Sequence, residues 1–252
     1  MKTTRAYDVP TRLFHIFFAL IFLGAFFIAK VFDDESAIYP YHMMLGLTLS
    51  LVVLLRIVWG LFGSRYARFA SYPLKPSQLI KYLKDTFTSK TERVLGHNPA
   101  SAWSALTMMA LALSLGVTGF LMSQHINKEA IEDIHELLAY AFVIVAIAHV
   151  AGVILHTLKH HDGIGFSMIH GKKETVPGAV GIDKTYPIVG LVFLALIGTF
   201  VFHLNKNYDP STKQLKLFGS TLQLGGDEKN ESKGEADKEG DEEGSEEHNE
   251  KE

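Results

Sequence analysis

The chain has 252 residues, 48% of them hydrophobic, with a formal net charge of −3 at pH 7. Its apolar residues come in blocks about 20 long, enough to cross a hydrocarbon core, which places it among polytopic membrane proteins rather than soluble domains. It has no cysteine, which excludes disulfides, iron–sulfur clusters, thiolate-held haem and covalent haem attachment through CxxCH, so that any haem must be b-type and held by histidine.

Residues 1–12 carry Lys2, Arg5 and Arg12 ahead of the apolar run LFHIFFALIFLGAFFIAKVF. A signal peptide has a shorter apolar core and a small-residue cleavage site, so this run reads as an uncleaved first span entering from the cytoplasm. Pro10 suits a helix's first turn and Asp8 can cap it. His15 then lies about one turn into the span, either as a ligand or as an ordinary interfacial histidine.

After DDESAIYPY, a second apolar run extends from His42 to Phe62, with Tyr39 and Tyr41 as interfacial anchors. His42 is at its outer end. Arg56 follows fourteen residues later, about 21 Å deeper by the helical rise and so at the inner leaflet. A guanidinium there needs an anionic partner, for which a haem propionate is the preferred candidate, or a route for snorkelling to the surface.

The stretch 64–99 is basic (Arg65, Arg68, Lys75, Lys81, Lys84, Lys90, Arg93) and broken by Pro73 and Pro76, which makes it a cytoplasmic loop. Within it, SQLIKYLKDTFT has the apolar spacing of a short surface-lying amphipathic helix. HNP at 97–99 precedes a third span, Ala100 to Met122, which has no charge and no ligand candidate. Its Gly116 and Gly119 are expected to permit close helix packing.

The stretch Ile131–His161 is a fourth span that carries His135 and His149. Fourteen residues are about four turns, so the two imidazoles share a face and stand about 21 Å apart along the axis. Ionisable groups inside a membrane helix are costly unless they face the bundle and find a partner. These two are either haem ligands or interhelical hydrogen-bonding histidines. His156, His160 and His161 read as cytoplasmic-surface residues. A fifth span, Tyr186 to His203, leads into a hydrophilic segment, 205–252, expected to be a disordered acidic tail because it cannot bury enough apolar surface to fold alone.

Fourteen Lys or Arg fall in the expected inner segments, against Lys30 and Lys128 in the two outer loops. By the positive-inside rule the N terminus is cytoplasmic, and five spans put the tail outside. Depth then pairs the histidines: His15 with His149 toward the inner leaflet, His42 with His135 toward the outer one. Two stacked bis-histidine haem sites follow as the expectation, with the third helix closing the bundle and the fifth outside it. The fold class expected is all-α integral membrane: a four-helix haem-binding bundle (1–173), a linker and fifth transmembrane helix (174–204), and the tail (205–252).

RLFH at 12–15, HMMLG at 42–46, LRIVWGLFGS at 55–64, GHNP at 96–99, HE at 135–136 with His149 beyond, and M..GKK at 168–173 resemble the bacterial cytochrome b561 and nickel-iron hydrogenase cytochrome b family over residues 5–173. The resemblance implies a bacterial inner-membrane cytochrome with two haem b groups, held by His15, His42, His135 and His149, that passes electrons between quinone or quinol and a partner. Three roles are compatible: exchange with a periplasmic c-type cytochrome or oxidoreductase subunit, which the acidic tail favours; the membrane anchor of a hydrogenase or other multi-subunit oxidoreductase; and, disfavoured by acidic outer loops, oxidation of superoxide. A channel or transporter without haem is a more distant alternative. The expected surroundings are membrane lipid, with no nucleic acid partner.

Overall fold

The computed structural model describes residues 2–88 and 93–225. Lys90 and the sequence from 226 onward, most of the acidic tail, lie outside the described residues.

Among the described residues, five helices are long and apolar enough to cross a membrane: α1 (Val9–Val31), α2 (Pro40–Phe62), α4 (Pro99–Ser123), α5 (Lys128–His160) and α7 (Pro187–Asn207). Between them, α3 (Pro76–Phe87) is the amphipathic helix expected in the basic loop, and α6 (Ser167–His170) is a single turn. Proline opens α1, α2, α3, α4 and α7; its fixed φ fits the first turn, and its missing N–H is one the helix would leave unsatisfied. Asp8 caps α1 by accepting from Thr11 N at 2.8 Å, and Asn98 caps α4 through Ser101 N at 2.8 Å.

The chain's beginning is clasped to the end of the four-helix core. β1 (Thr3–Arg5) pairs antiparallel with β2 (Lys172–Glu174), and Ala6 N and Tyr7 N donate to Gly171 O at 2.8 and 3.0 Å. The start of α1 and the segment after α5 are thereby fixed at one end of the bundle.

The core is built where α1, α2 and α4 meet, from Phe18, Ile21, Phe22, Leu49, Val52, Val53, Met109 and Ala112. Gly116 brings α4 onto α2: a Cβ there would stand 2.1 Å from Ser50 Oγ. α5 packs along α4 but reaches α1 through a long side chain, Phe142, whose ring stacks on Phe22 with centroids 3.7 Å apart. α7 lies outside this bundle against α1 and α2, with Gly190 close to Val9 and Leu13. Many large apolar side chains remain exposed along the spans, among them Leu20, Leu54, Ile144 and Leu191, the surface a bilayer would cover.

Two expectations need correction. The segment from 205 is not featureless throughout: β3 (Tyr208–Asp209), β4 (Gln214–Leu217) and β5 (Ser220–Gln223) form an antiparallel meander. Leu215, Leu217, Leu222 and Leu224 alternate with polar residues, and all four are buried against Met44 and Leu204. Phe218 and Gly219, both at positive φ, turn β4 into β5, as a two-residue hairpin requires. The overall charge of 205–252 masks this period-two pattern. The second correction is His156, which is buried rather than surface-placed: it faces Asp162 Oδ2 across 3.2 Å and packs against His160.

Candidate cofactor centre

His42 and His135 come together from α2 and α5 with ring centroids 6.1 Å apart. Two metal–nitrogen bonds of about 2 Å each, extended by about 1 Å from each ring nitrogen to its ring centre, put the centroids of two imidazoles on one metal about 6 Å apart. The spacing admits a shared metal; with no metal between them the two rings meet edge to face, their planes 74° apart.

Both rings are also oriented. His42 Nδ1 is 2.8 Å from Ala25 O, a carbonyl that can only accept, so this nitrogen carries the proton. His135 Nδ1 is 2.8 Å from Thr118 Oγ1. The Thr118 hydroxyl proton goes to the backbone carbonyls of Ser114 and Leu115, at 3.0 and 3.1 Å, so His135 Nδ1 is the donor here as well. In each ring Nε2 is left as the lone-pair nitrogen, and hydrogen bonding at the other nitrogen is what fixes a metal-binding tautomer. α4, which offers no ligand of its own, thus supplies the group that aims His135.

A partly open cavity beside this pair is lined by His42, Met43, Gly46, Gly119, His135 and Leu222 among others. A Cβ on Gly46 would meet nothing within 4 Å, and one on Gly119 would reach only the His135 ring at 3.6 Å. Gly116 therefore serves helix packing as expected, whereas Gly119 also keeps space open in front of an imidazole.

At the other end of the bundle, His15 on α1 and His149 on α5 lie close enough to act on each other electrostatically. His97, in the loop before α4, feels both of them. Burial first, then the positive charges of Lys173 and Arg56 and the neighbouring His149 and His15, hold its imidazole down to about 3. Its ring packs against Tyr72 at 4.4 Å and Tyr7 at 5.6 Å between centroids.

Arg56 does not snorkel to the surface. It is 2% exposed, donates from Nη2 to Ala67 O at 2.9 Å and to Tyr72 Oη at 2.8 Å, and lies over the Phe14 and Phe69 rings. Among the described residues no carboxylate pairs with it. Arg56 Nη1, His97 Nδ1 and Trp103 Nε1 are buried polar atoms without a hydrogen-bond partner, all at this same end. Leaving such groups unpaired costs about 1–3 kcal/mol each, more for a charged one, so the Arg56 and Trp103 donors suit an anionic group that enters with a cofactor. His97 and Tyr72 are not among the site residues that the sequence points to, where GHNP marks a helix start and forms part of the family resemblance.

Among the described residues no three His, Cys, Asp or Glu gather to hold a bare metal ion. Paired imidazoles suit instead a metal whose remaining ligands come from a macrocycle. Residues 6–171 match the family described as prokaryotic cytochrome b561. The chain belongs to that family. It is accordingly a membrane b-type cytochrome of electron transfer, a family whose redox partners include quinone and other electron carriers. No curated protein and no solved structure is significantly similar to it. The match ends before α7 and β3–β5, so these elements of the cytochrome lie outside what the family describes.

Proposed function

We propose that this cytochrome holds two haem b groups, one between His42 and His135 and one between His15 and His149, and moves electrons between the quinone pool and a periplasmic redox partner such as a c-type cytochrome. The observation that supports the reading is the His42–His135 pair, whose spacing admits one shared metal and whose Nδ1 atoms are both hydrogen-bonded, leaving Nε2 for a ligand bond. The charge asymmetry of the loops supports a cytoplasmic N terminus, with His15 and His149 toward the cytoplasm and His42 and His135 toward the periplasm.

Bound haem supplies one-electron chemistry; the chain supplies ligation, orientation and electrostatics. The Ala25 carbonyl and Thr118 hydroxyl make their imidazoles more basic by accepting from Nδ1–H, which favours the oxidised metal and lowers the potential of that site. At the inner site Arg56 acts in the opposite sense: its buried positive charge favours the reduced, less positive state. Its Nη1, which has no hydrogen-bond partner, would be free to donate to a haem propionate. The two sites are thus tuned by different means.

The test is haem content. Purified protein should yield two haems per chain in a pyridine haemochrome assay, extractable by acidified acetone. Fewer than about one haem per chain under haem-replete expression would end the two-site reading.

A further inference from the structure

The β3–β5 meander lies on the His42–His135 end of the bundle, and its role follows from which of its side chains face inward. Leu222 and Leu224, 1% and 0% exposed, line the same cavity as His42, His135 and Gly119. Leu215 and Leu217 back them from the neighbouring strand, packed with Met44 of α2 and Leu204 of α7. The sheet is pinned at two places to the elements that frame the site. Lys213 Nζ donates to Glu35 O in the α1–α2 loop at 2.7 Å, and Gln124 Nε2, just past α4, donates to Thr221 O at 3.0 Å. An apolar, hydrogen-bonded sheet thus forms one wall of the cavity beside the histidine pair.

We propose that this meander is a fixed roof that sets which electron carriers the His42–His135 site can serve. It excludes small polar oxidants and reductants and leaves exchange to a protein docked on the outside. The inference rests on the reading that His42 and His135 hold a haem. Leucines offer a polar solute no hydrogen bond, and admitting one would strip its hydration without compensation. A docked protein does not need to enter, because an electron crosses the roof without either partner being desolvated at the metal. The same exclusion disfavours superoxide as the substrate at this end.

The experiment uses the full-length protein in detergent. A redox titration first resolves its components, and the one lost in His135→Ala is assigned to the outer site. Reduced protein is then oxidised in a stopped-flow mixer by ferricyanide and, separately, by hexaammineruthenium(III). Each takes one electron, and their opposite charges separate access from electrostatics. With Leu222→Ser/Leu224→Ser, oxidation of the outer component should accelerate several-fold with both oxidants and its midpoint potential should fall as water gains access, while the inner component stays unchanged. Gln124→Ala/Lys213→Ala, which loosens the pins without altering the leucines, should give an intermediate acceleration. Native rates and potentials in both variants would overturn the roof, and so would loss of the outer haem, which would show that the sheet retains the cofactor rather than screens it. Absence of any component sensitive to His135→Ala would instead refute the two-haem reading itself, and the roof with it.

Discussion

Phe142 stacks on Phe22 with ring centroids 3.7 Å apart and planes 21° from parallel, midway along α5 between His135 and His149. Seven residues separate Phe142 from each histidine, so all three project toward the same side of the helix. The aromatic contact holds α5 to α1 at the level between the two sites, and Phe18 adds a second ring 5.6 Å from Phe142. Above and below it the helices leave room for the histidine pairs.

Removing this contact should loosen both sites together. Phe142→Ala leaves a cavity that costs about 3 kcal/mol or more, while Phe142→Leu refills part of it. The expected result is a lower temperature for thermal loss of the Soret band in Phe142→Ala, with both haem components released together and Phe142→Leu intermediate. Melting at the wild-type temperature would show that the stack does not hold the helices.

The histidines should behave as two pairs. His15→Ala and His149→Ala should each remove the inner component, and His42→Ala and His135→Ala the outer one, because deleting one axial ligand leaves its partner facing an open coordination position. Redox titration with optical spectra reads this directly. Loss of the same component from His15→Ala and His42→Ala would refute the assignment.

Thr118 acts through His135. Thr118→Val keeps the side chain's shape but removes the acceptor for Nδ1–H, leaving a less basic imidazole, so the outer midpoint potential should rise while the inner one does not move. Thr118→Ser, which retains the hydroxyl, should restore the native value. A fall in the outer potential, or equal changes at both sites, would contradict the tautomer deduced from the hydrogen bonds.

Arg56→Gln should lower the inner midpoint potential and leave the outer one nearly unchanged. A unit charge at about 10 Å and an effective dielectric near 20 is worth about 1.5 kcal/mol, or some tens of millivolts in a one-electron couple. Arg56→Lys keeps the charge but cannot reproduce the planar fork that reaches both Ala67 O and Tyr72 Oη, so it should recover most of the potential and less of the stability. Equal shifts at both sites on titrating Arg56→Gln would remove Arg56 from the inner site.

Lys173 supplies a pH dependence. Its ammonium, donating to Gly96 O at 2.7 Å, is held down to about 8 by burial, with Asp162 opposing. The folded value lies below the ordinary 10.5, so between about pH 8 and 10.5 the unfolded chain binds more protons and folding stability gains as pH rises. Below pH 8 the burial cost is fully present. Lys173→Met removes it, so the stability difference between variant and native protein should move in the native protein's favour from pH 8 to 9.5, measured as thermal midpoints. A constant difference across that range would show that Lys173 titrates normally.

The sequence by itself determined the five spans and the Pro10 start and Asp8 cap of the first, and it raised the expectation that the four histidines pair by depth. These depend on chain-local quantities: apolar run length against bilayer thickness, rise per residue, and the charge of the connecting loops. The tertiary structure decided what depends on distant residues meeting. It placed the Ala25 carbonyl behind His42 and the Thr118 hydroxyl behind His135, drew His97 and Tyr72 in beside Arg56, and buried Arg56 where depth alone left snorkelling as an alternative. It also folded residues 208–223 into a sheet whose leucines gain their burial against Met44 and Leu204. The alternation of those leucines is visible in the sequence. A hairpin is marginal in water on its own, and it is the apolar end of the α2–α7 pair that gives this one a surface to bury.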